Sequence, residues 1–119
     1  MKKRIYIADD NSGLIDMMAV FLEGMGYEAD GSPELLNLLL LDTINLPDVF
    51  LLNIRVWGED SEMISSYLKT NELTGNIPVI LFTTLQRSVQ HPLDRYADGF
   101  IYIPFEINQL SGLLKKVTS

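Results

Sequence analysis

Residues 47–56 read PDVFLLNIRV. Val49, Phe50, Leu51, Leu52 and Ile54 make the run nearly continuously apolar, the pattern of a central strand covered on both faces. Asn53 interrupts it just before the chain opens into Gly58-Glu59-Asp60. In an open α/β sheet, ligands gather outside the carboxyl ends of the strands. An amide at that end is therefore the first candidate site residue.

Outward from this strand, the remaining elements alternate. Arg4 to Ala8 is a short apolar strand that delivers Asp9-Asp10 to its carboxyl end. Asn11 or Ser12 can cap a helix in which Leu14, Met18, Phe21, Leu22 and Met25 follow helical spacing up to Gly26. Tyr27 to Asp30 reads as a second strand, and Ser32-Pro33-Glu34 as a helix start with Pro in the first turn. The helix that follows carries Leu35 to Leu41, ending before Pro47. Ser61 to Leu73 predicts a helix with Met63, Ile64, Tyr67 and Leu68 on one side, and Pro78 to Phe82 a buried strand ending in Thr83-Thr84. Gln86 to Tyr96 is at best a broken helix, because Pro92 removes an amide donor and clashes with the preceding turn. Phe100 to Ile103 is a fifth strand closed by Pro104. Glu106 to Val117 is an amphipathic helix with Ile107, Leu110, Leu114 and Val117 in one stripe. Five strands alternating with five helical segments predict a parallel sheet wrapped on both faces, a single α/β sandwich over residues 1–119.

Composition removes several function classes. Hydrophobic residues at 47% and charged residues at 21% are an ordinary globular mix, enough to bury a core without metal or disulfides. There is no cysteine, so a disulfide framework or a cysteine metal site is ruled out, which fits a reducing, cytoplasmic setting. No run approaches the roughly 20 apolar residues of a membrane span, and the short apolar run after Lys2-Lys3-Arg4 does not read as a signal peptide. A net charge of −7, with the basic residues scattered, opposes nucleic-acid binding by this domain alone. The turn ADDNSG after the first strand places two carboxylates where a nucleotide or flavin binder needs a phosphate loop.

Taken in order, Asp9-Asp10, PDVFLLNI, IPVILFTT, Phe100 and Pro104-Phe105 resemble the receiver domain of bacterial two-component response regulators, the CheY-like family, over essentially the whole chain. The resemblance implies a flavodoxin-like (βα)5 three-layer sandwich with strand order 2-1-3-4-5. It also implies an acidic pair that holds Mg²⁺, here Asp9 and Asp10, and a phosphoacceptor aspartate at the end of the third strand. That position holds Asn53. A hydroxyl after the fourth strand is matched by Thr83, and Phe100 stands at the aromatic switch position. The lysine before the Pro-Phe pair is replaced by Ile103.

The two replaced residues are the ones tied to phosphoryl transfer. An amide is not the anionic oxygen nucleophile that an acyl phosphate requires, and isoleucine supplies no cation to the transferring group. Three carboxylates and one lysine carry the same net charge as two carboxylates and no lysine, so the paired loss keeps the local balance. The reading is a pseudo-receiver: a phosphorylation-independent protein-interaction module and not an enzyme, with other signalling proteins as partners. The competing reading is a phosphoacceptor receiver with an altered or engineered site, taking its phosphoryl group from a histidine kinase.

Two readings of the acidic pair stay open: a vestigial, weak Mg²⁺ site of Asp9, Asp10, Asn53 and the Arg55 carbonyl, or carboxylates that accept hydrogen bonds from nearby backbone groups or from Asn53. No cofactor is otherwise expected. Thr83 and Phe100 are either a relay or a core-edge Thr and a packed Phe. His91 reads as a loop histidine. Trp57 stands where receivers usually have Pro, either as an anchor for a partner or as a local lid. The six leucines of residues 35–41 run all the way round a helix, which predicts an exposed apolar patch and a homodimer or partner contact there.

Overall fold

A computed structural model describes residues 2–41, 46–57, 59–83, 96–103 and 106–118. The expected break at Pro92 lies outside the described residues, as do His91, Thr84, Pro104 and Phe105. The elements in chain order are β1 (Arg4–Ala8), α1 (Ser12–Gly24), β2 (Glu28–Ser32), α2 (Leu35–Leu39) and β3 (Val49–Asn53). They continue with β4 (Arg55–Val56), β5 (Glu59–Asp60), α3 (Ser61–Thr70), β6 (Val79–Thr83), β7 (Gly99–Tyr102) and α4 (Ile107–Thr118).

The main sheet has the order β2-β1-β3-β6-β7 with all neighbours parallel, the flavodoxin-like order 2-1-3-4-5 expected above. β3 is its middle strand. Val49, Phe50, Leu51 and Leu52 are fully buried, because alternate side chains enter two separate cores. Val49 and Leu51 meet Ile5, Ile7, Ile80, Phe82 and the inner faces of α1 and α4. Phe50 and Leu52 meet Tyr6, Ala8, Leu81 and the inner residues of α2 and α3. Each such side chain contributes roughly 1.5–3 kcal/mol of transfer free energy, so β3 alone anchors both layers.

The helices depart from their expected faces in instructive ways. Asn11 caps α1, its Oδ1 accepting from the Leu14 amide at 3.1 Å, and the inner stripe is Ile15, Met18 and Leu22. Phe21, which shares the helical spacing, is 44% exposed, while Leu14 and Met25 pack partly buried beside that stripe. In α3, Ile64 and Leu68 face the core while Met63 and Tyr67 do not. The buried positions beside them are Ser61 and Ser65, whose mutual hydrogen bond (Ser65 Oγ to Ser61 O, 2.8 Å) lets small polar residues sit inside.

The leucine-rich helix is shorter than its composition predicts. α2 ends at Leu39 and does not reach Leu41. Asn37 donates from its side chain to Ser32 Oγ at 2.7 Å, tying the helix to its own start, and the Leu41 amide turns back to Leu38 O. Propensity for helix does not prevail in a segment this short, since nucleation is costly. Leu38 is buried, whereas Leu39 and Leu40 are 38% and 66% exposed.

At the sheet edge, β2 runs EADGS and presents Glu28 and Asp30 to solvent, each near the Arg4 guanidinium at 4.0 and 3.9 Å. At the far end of the sheet, Lys69 Nζ donates to Asp98 Oδ2 at 2.8 Å and to Ile77 O, and Asp98 accepts from the Val79 amide. This pins α3 to the start of β6. Gly31 sits where a Cβ would stand 2.4 Å from the Ile7 carbonyl oxygen and 3.2 Å from the Ile15 side chain. Gly31→Ala is therefore expected to destabilise the domain by about 1–3 kcal/mol, the usual range for overpacking; urea unfolding followed by circular dichroism measures it.

Candidate functional site

The strand ends bring the sequence-predicted residues to one edge of the sheet. Asp9 and Asp10 follow β1, Asn53 closes β3, Thr83 closes β6 and Ile103 follows β7, its amide donating to Thr83 O at 2.8 Å. Parallel strands all end on the same side, so the register that pairs Asn53 with Phe82 and Thr83 with Tyr102 sets this grouping.

Asp9 is 1% exposed. Its Oδ1 accepts from the Asp10 amide at 2.8 Å, and both its oxygens lie 3.5 Å from Asn53 Nδ2. Burial pushes its pKa above the ordinary aspartate value, opposed by the Asp10 amide and the Asn53 side chain, while the Asp10 charge adds to the rise. Asp10 is exposed, and its Oδ2 accepts from the Trp57 amide at 3.0 Å.

The exit from β3 is a local structure that no pattern in residues 54–60 announces. The Ile54 amide donates to Phe82 O and the Ser61 amide to Ile54 O, so β4 and β5 lie between two fixed points. They form the antiparallel pair β4–β5, with Arg55 opposite Asp60 and Val56 opposite Glu59. Trp57 stands at its corner with φ 54°, the one non-glycine residue of positive φ among those described. That conformation costs an L-residue roughly 1–2 kcal/mol. The indole Nε1 donates to Pro33 O at 2.8 Å, and the ring packs at the edge of the core under α2 and α3.

Thr83 is buried, and Phe100 packs edge-to-face on Tyr102 with centroids 5.0 Å apart while touching the α2–α3 core. Ile103 packs on the opposite core, under α1 and α4. The Ile103 side chain, at the position where the resemblance implies a lysine, thus belongs to the packing.

This donor set does not fit a divalent cation as it stands. Mg²⁺ demands near-octahedral oxygens at about 2.0–2.1 Å, yet one oxygen of each aspartate already faces a backbone amide, and Asn53 turns its NH₂ group toward Asp9. Among the described residues no three His, Cys, Asp or Glu side chains form a metal-holding group. No helix among the described residues is long and apolar enough to cross a membrane.

No protein-family model matches the sequence. The chain is 32% identical over 117 residues, 97% of its length, to the phosphate regulon transcriptional regulatory protein PhoB of Pseudomonas aeruginosa. It spans about half the length of these curated relatives, 51% of that protein and 45% of the RpaA regulator of Synechocystis. Among solved structures, a putative response regulator from Chloroflexus aurantiacus superposes with a TM-score of 0.83 at 22% identity, over 99% of this chain and 98% of that one. A CheY-like response regulator receiver domain from Methylobacillus flagellatus gives 0.83 at 13% identity, over 98% and 99%.

The raised pKa of Asp9 has a definite sign. The folded state favours the protonated form, so this group's contribution to stability is fully present below the ordinary aspartate pKa of about 3.9 and is lost as pH rises through the higher folded value. At neutral pH its buried charge works against folding. Asp9→Asn is expected to melt at a higher temperature than the parent at pH 7, with the difference shrinking toward pH ~4. Thermal melts across that range, in chelator to exclude cation effects, check it.

Proposed function

We propose that this chain, a CheY-like receiver domain in fold and in sequence likeness, acts in two-component-type signalling as a protein-interaction module whose state is not set by aspartyl phosphorylation. The observation that carries the reading is Asn53 at the end of the central strand, an amide hydrogen-bonded toward a buried carboxylate at the position where the family's resemblance calls for a nucleophile. Ile103, packed into the core, supplies no charge to a phosphoryl group. Thr83 and Phe100 then serve packing, because no ligand binds one of their arrangements better than the other.

Partners are other signalling proteins. The exposed Leu39 and Leu40 beside α2 support a contact there, including self-association. Leu40→Glu is expected to shift a concentration-dependent dimer to monomer in sedimentation velocity; an unchanged profile removes this face from consideration.

Incubation with acetyl phosphate and Mg²⁺, followed by intact-mass measurement, is expected to show no phosphate adduct on the unaltered chain. Asn53→Asp alone should recover little labelling, and Asn53→Asp with Ile103→Lys more, since nucleophile and cation act on the same step. A circular dichroism melt of each variant separates lost chemistry from lost folding. Labelling of the parent at Asp9 or Asp10 at the double variant's rate would overturn the reading.

A further inference from the structure

We propose that the outer edge of β2 receives an extended segment of a partner protein in which basic and apolar side chains alternate, as a sixth strand of the main sheet. The backbone there is ready to pair. β2 is the outermost of the five strands, with β1 on its inner side. The Glu28 amide donates to Lys3 O, and the register sets Arg4 against Glu28 and Tyr6 against Asp30. In a parallel ladder successive residues bond to opposite sides. Glu28, Asp30 and Ser32 therefore turn their backbone groups to β1, while Ala29 and Gly31 turn theirs outward. Those outward amides and carbonyls are what an added strand meets.

The side chains along the edge select the segment. Glu28 and Asp30 share a face of the sheet with Tyr6, and their side chains are 60% and 67% exposed. Beside α2 a cavity of about 350 Å³ is lined by Arg4, Tyr6, Asp30, Asn37, Leu40 and Leu41. A second cavity, of about 430 Å³, shares Arg4, Tyr6 and Asp30 and adds Lys2, Glu23 and Glu28. Across the two, Glu23, Glu28 and Asp30 outnumber Lys2 and Arg4, so the strip favours a cation. Tyr6 is the second observation. It is only 7% exposed and lines both cavities, and its hydroxyl has no hydrogen-bond partner among the described residues. Burial, and then the Asp30 charge, push its pKa above the ordinary tyrosine value, so it stays a neutral phenol. A buried hydroxyl normally has a partner. The phenol oxygen and the Asp30 carboxylate together accept from an ammonium or guanidinium head, and Leu40 and Leu41 cover its aliphatic stem. On the opposite face, Tyr27 and Ala29 pack partly buried against the α1 side of the core. An added strand places its other side chains there, and these are apolar.

Strand addition at β2 goes beyond the reading above and does not depend on whether position 53 accepts a phosphoryl group. The probe is a capped peptide of alternating lysine and valine, about seven residues long and so able to span β2, added to the whole ¹⁵N-labelled chain. Saturable binding is expected, with the Ala29 and Gly31 amides gaining protection from solvent exchange and those of Glu28 and Asp30 unchanged. No binding, or protection gained elsewhere, overturns the proposal. An alternating glutamate–valine peptide, and the lysine–valine peptide N-methylated at every backbone amide, are each expected to bind about tenfold more weakly. Equal binding by the first removes the charge match, and by the second removes strand pairing; either result refutes the docking mode. Glu28→Gln with Asp30→Asn is expected to weaken the lysine–valine peptide about three- to tenfold, and Tyr6→Phe about two- to tenfold. Unchanged affinity in variants that circular dichroism shows to be folded counts against the site. The peptide comparisons use the parent chain, so they decide the matter even where a variant does not fold.

Discussion

The double burial of β3 is the constraint on which the rest of the molecule depends. Its four core residues alternate between two cores that never touch each other except through the sheet. α1 and α4 are held by one side of this strand, and α2 and α3 by the other. Once that ordering exists, β1 and β6 have to lie beside β3 in parallel register. The carboxylates after β1, the amide ending β3 and the hydroxyl ending β6 then arrive at one edge together. The grouping of these side chains is a by-product of packing at the middle of the sheet.

That dependence explains why the fold was legible from the sequence. VFLLN, VILFT and RIYIA are apolar on both faces, and each is followed by a polar exit, so number, direction and order of the strands could be read together with the helical crossovers. The capping Asn11 was legible for the same reason, since its side chain answers a purely local need. The helical faces were legible only to within one position. Phe21 and Met63 sit next to truly buried residues, and an apolar stripe does not say where its own margin falls.

The loops after the strands were hidden by a different kind of physics. Trp57 adopts a backbone conformation that no statistics would assign to tryptophan, and its partners Asp10 and Pro33 are remote in sequence. The shortness of α2 was likewise invisible among six leucines, because the side-chain bond between Asn37 and Ser32 is no part of an apolar pattern. Residue identities at Asn53 and Ile103 were readable as departures from a pattern; how their surroundings have accommodated them was not. In Asn53 that accommodation is a long hydrogen bond to a buried acid, and in Ile103 it is ordinary packing.

The acidic outer strand has a bearing on how the protein behaves in crowded solution. β2 is an edge, and an edge offers a ladder of backbone groups to any passing strand. Glu28 and Asp30 project from one face of it, and Arg4, which could neutralise them, belongs to the inner neighbour and is already shared between both. Two copies approaching edge to edge would bring four carboxylates into one strip, on molecules that each carry a charge of −7. Sheet-to-sheet polymerisation, the ordinary hazard of a chain this rich in Val, Ile, Leu and Phe, is thus held off by Coulomb repulsion. That protection has a range of about 10 Å at 0.1 M salt and contracts as ionic strength rises, so colloidal stability in this domain is a property of the medium as much as of the fold.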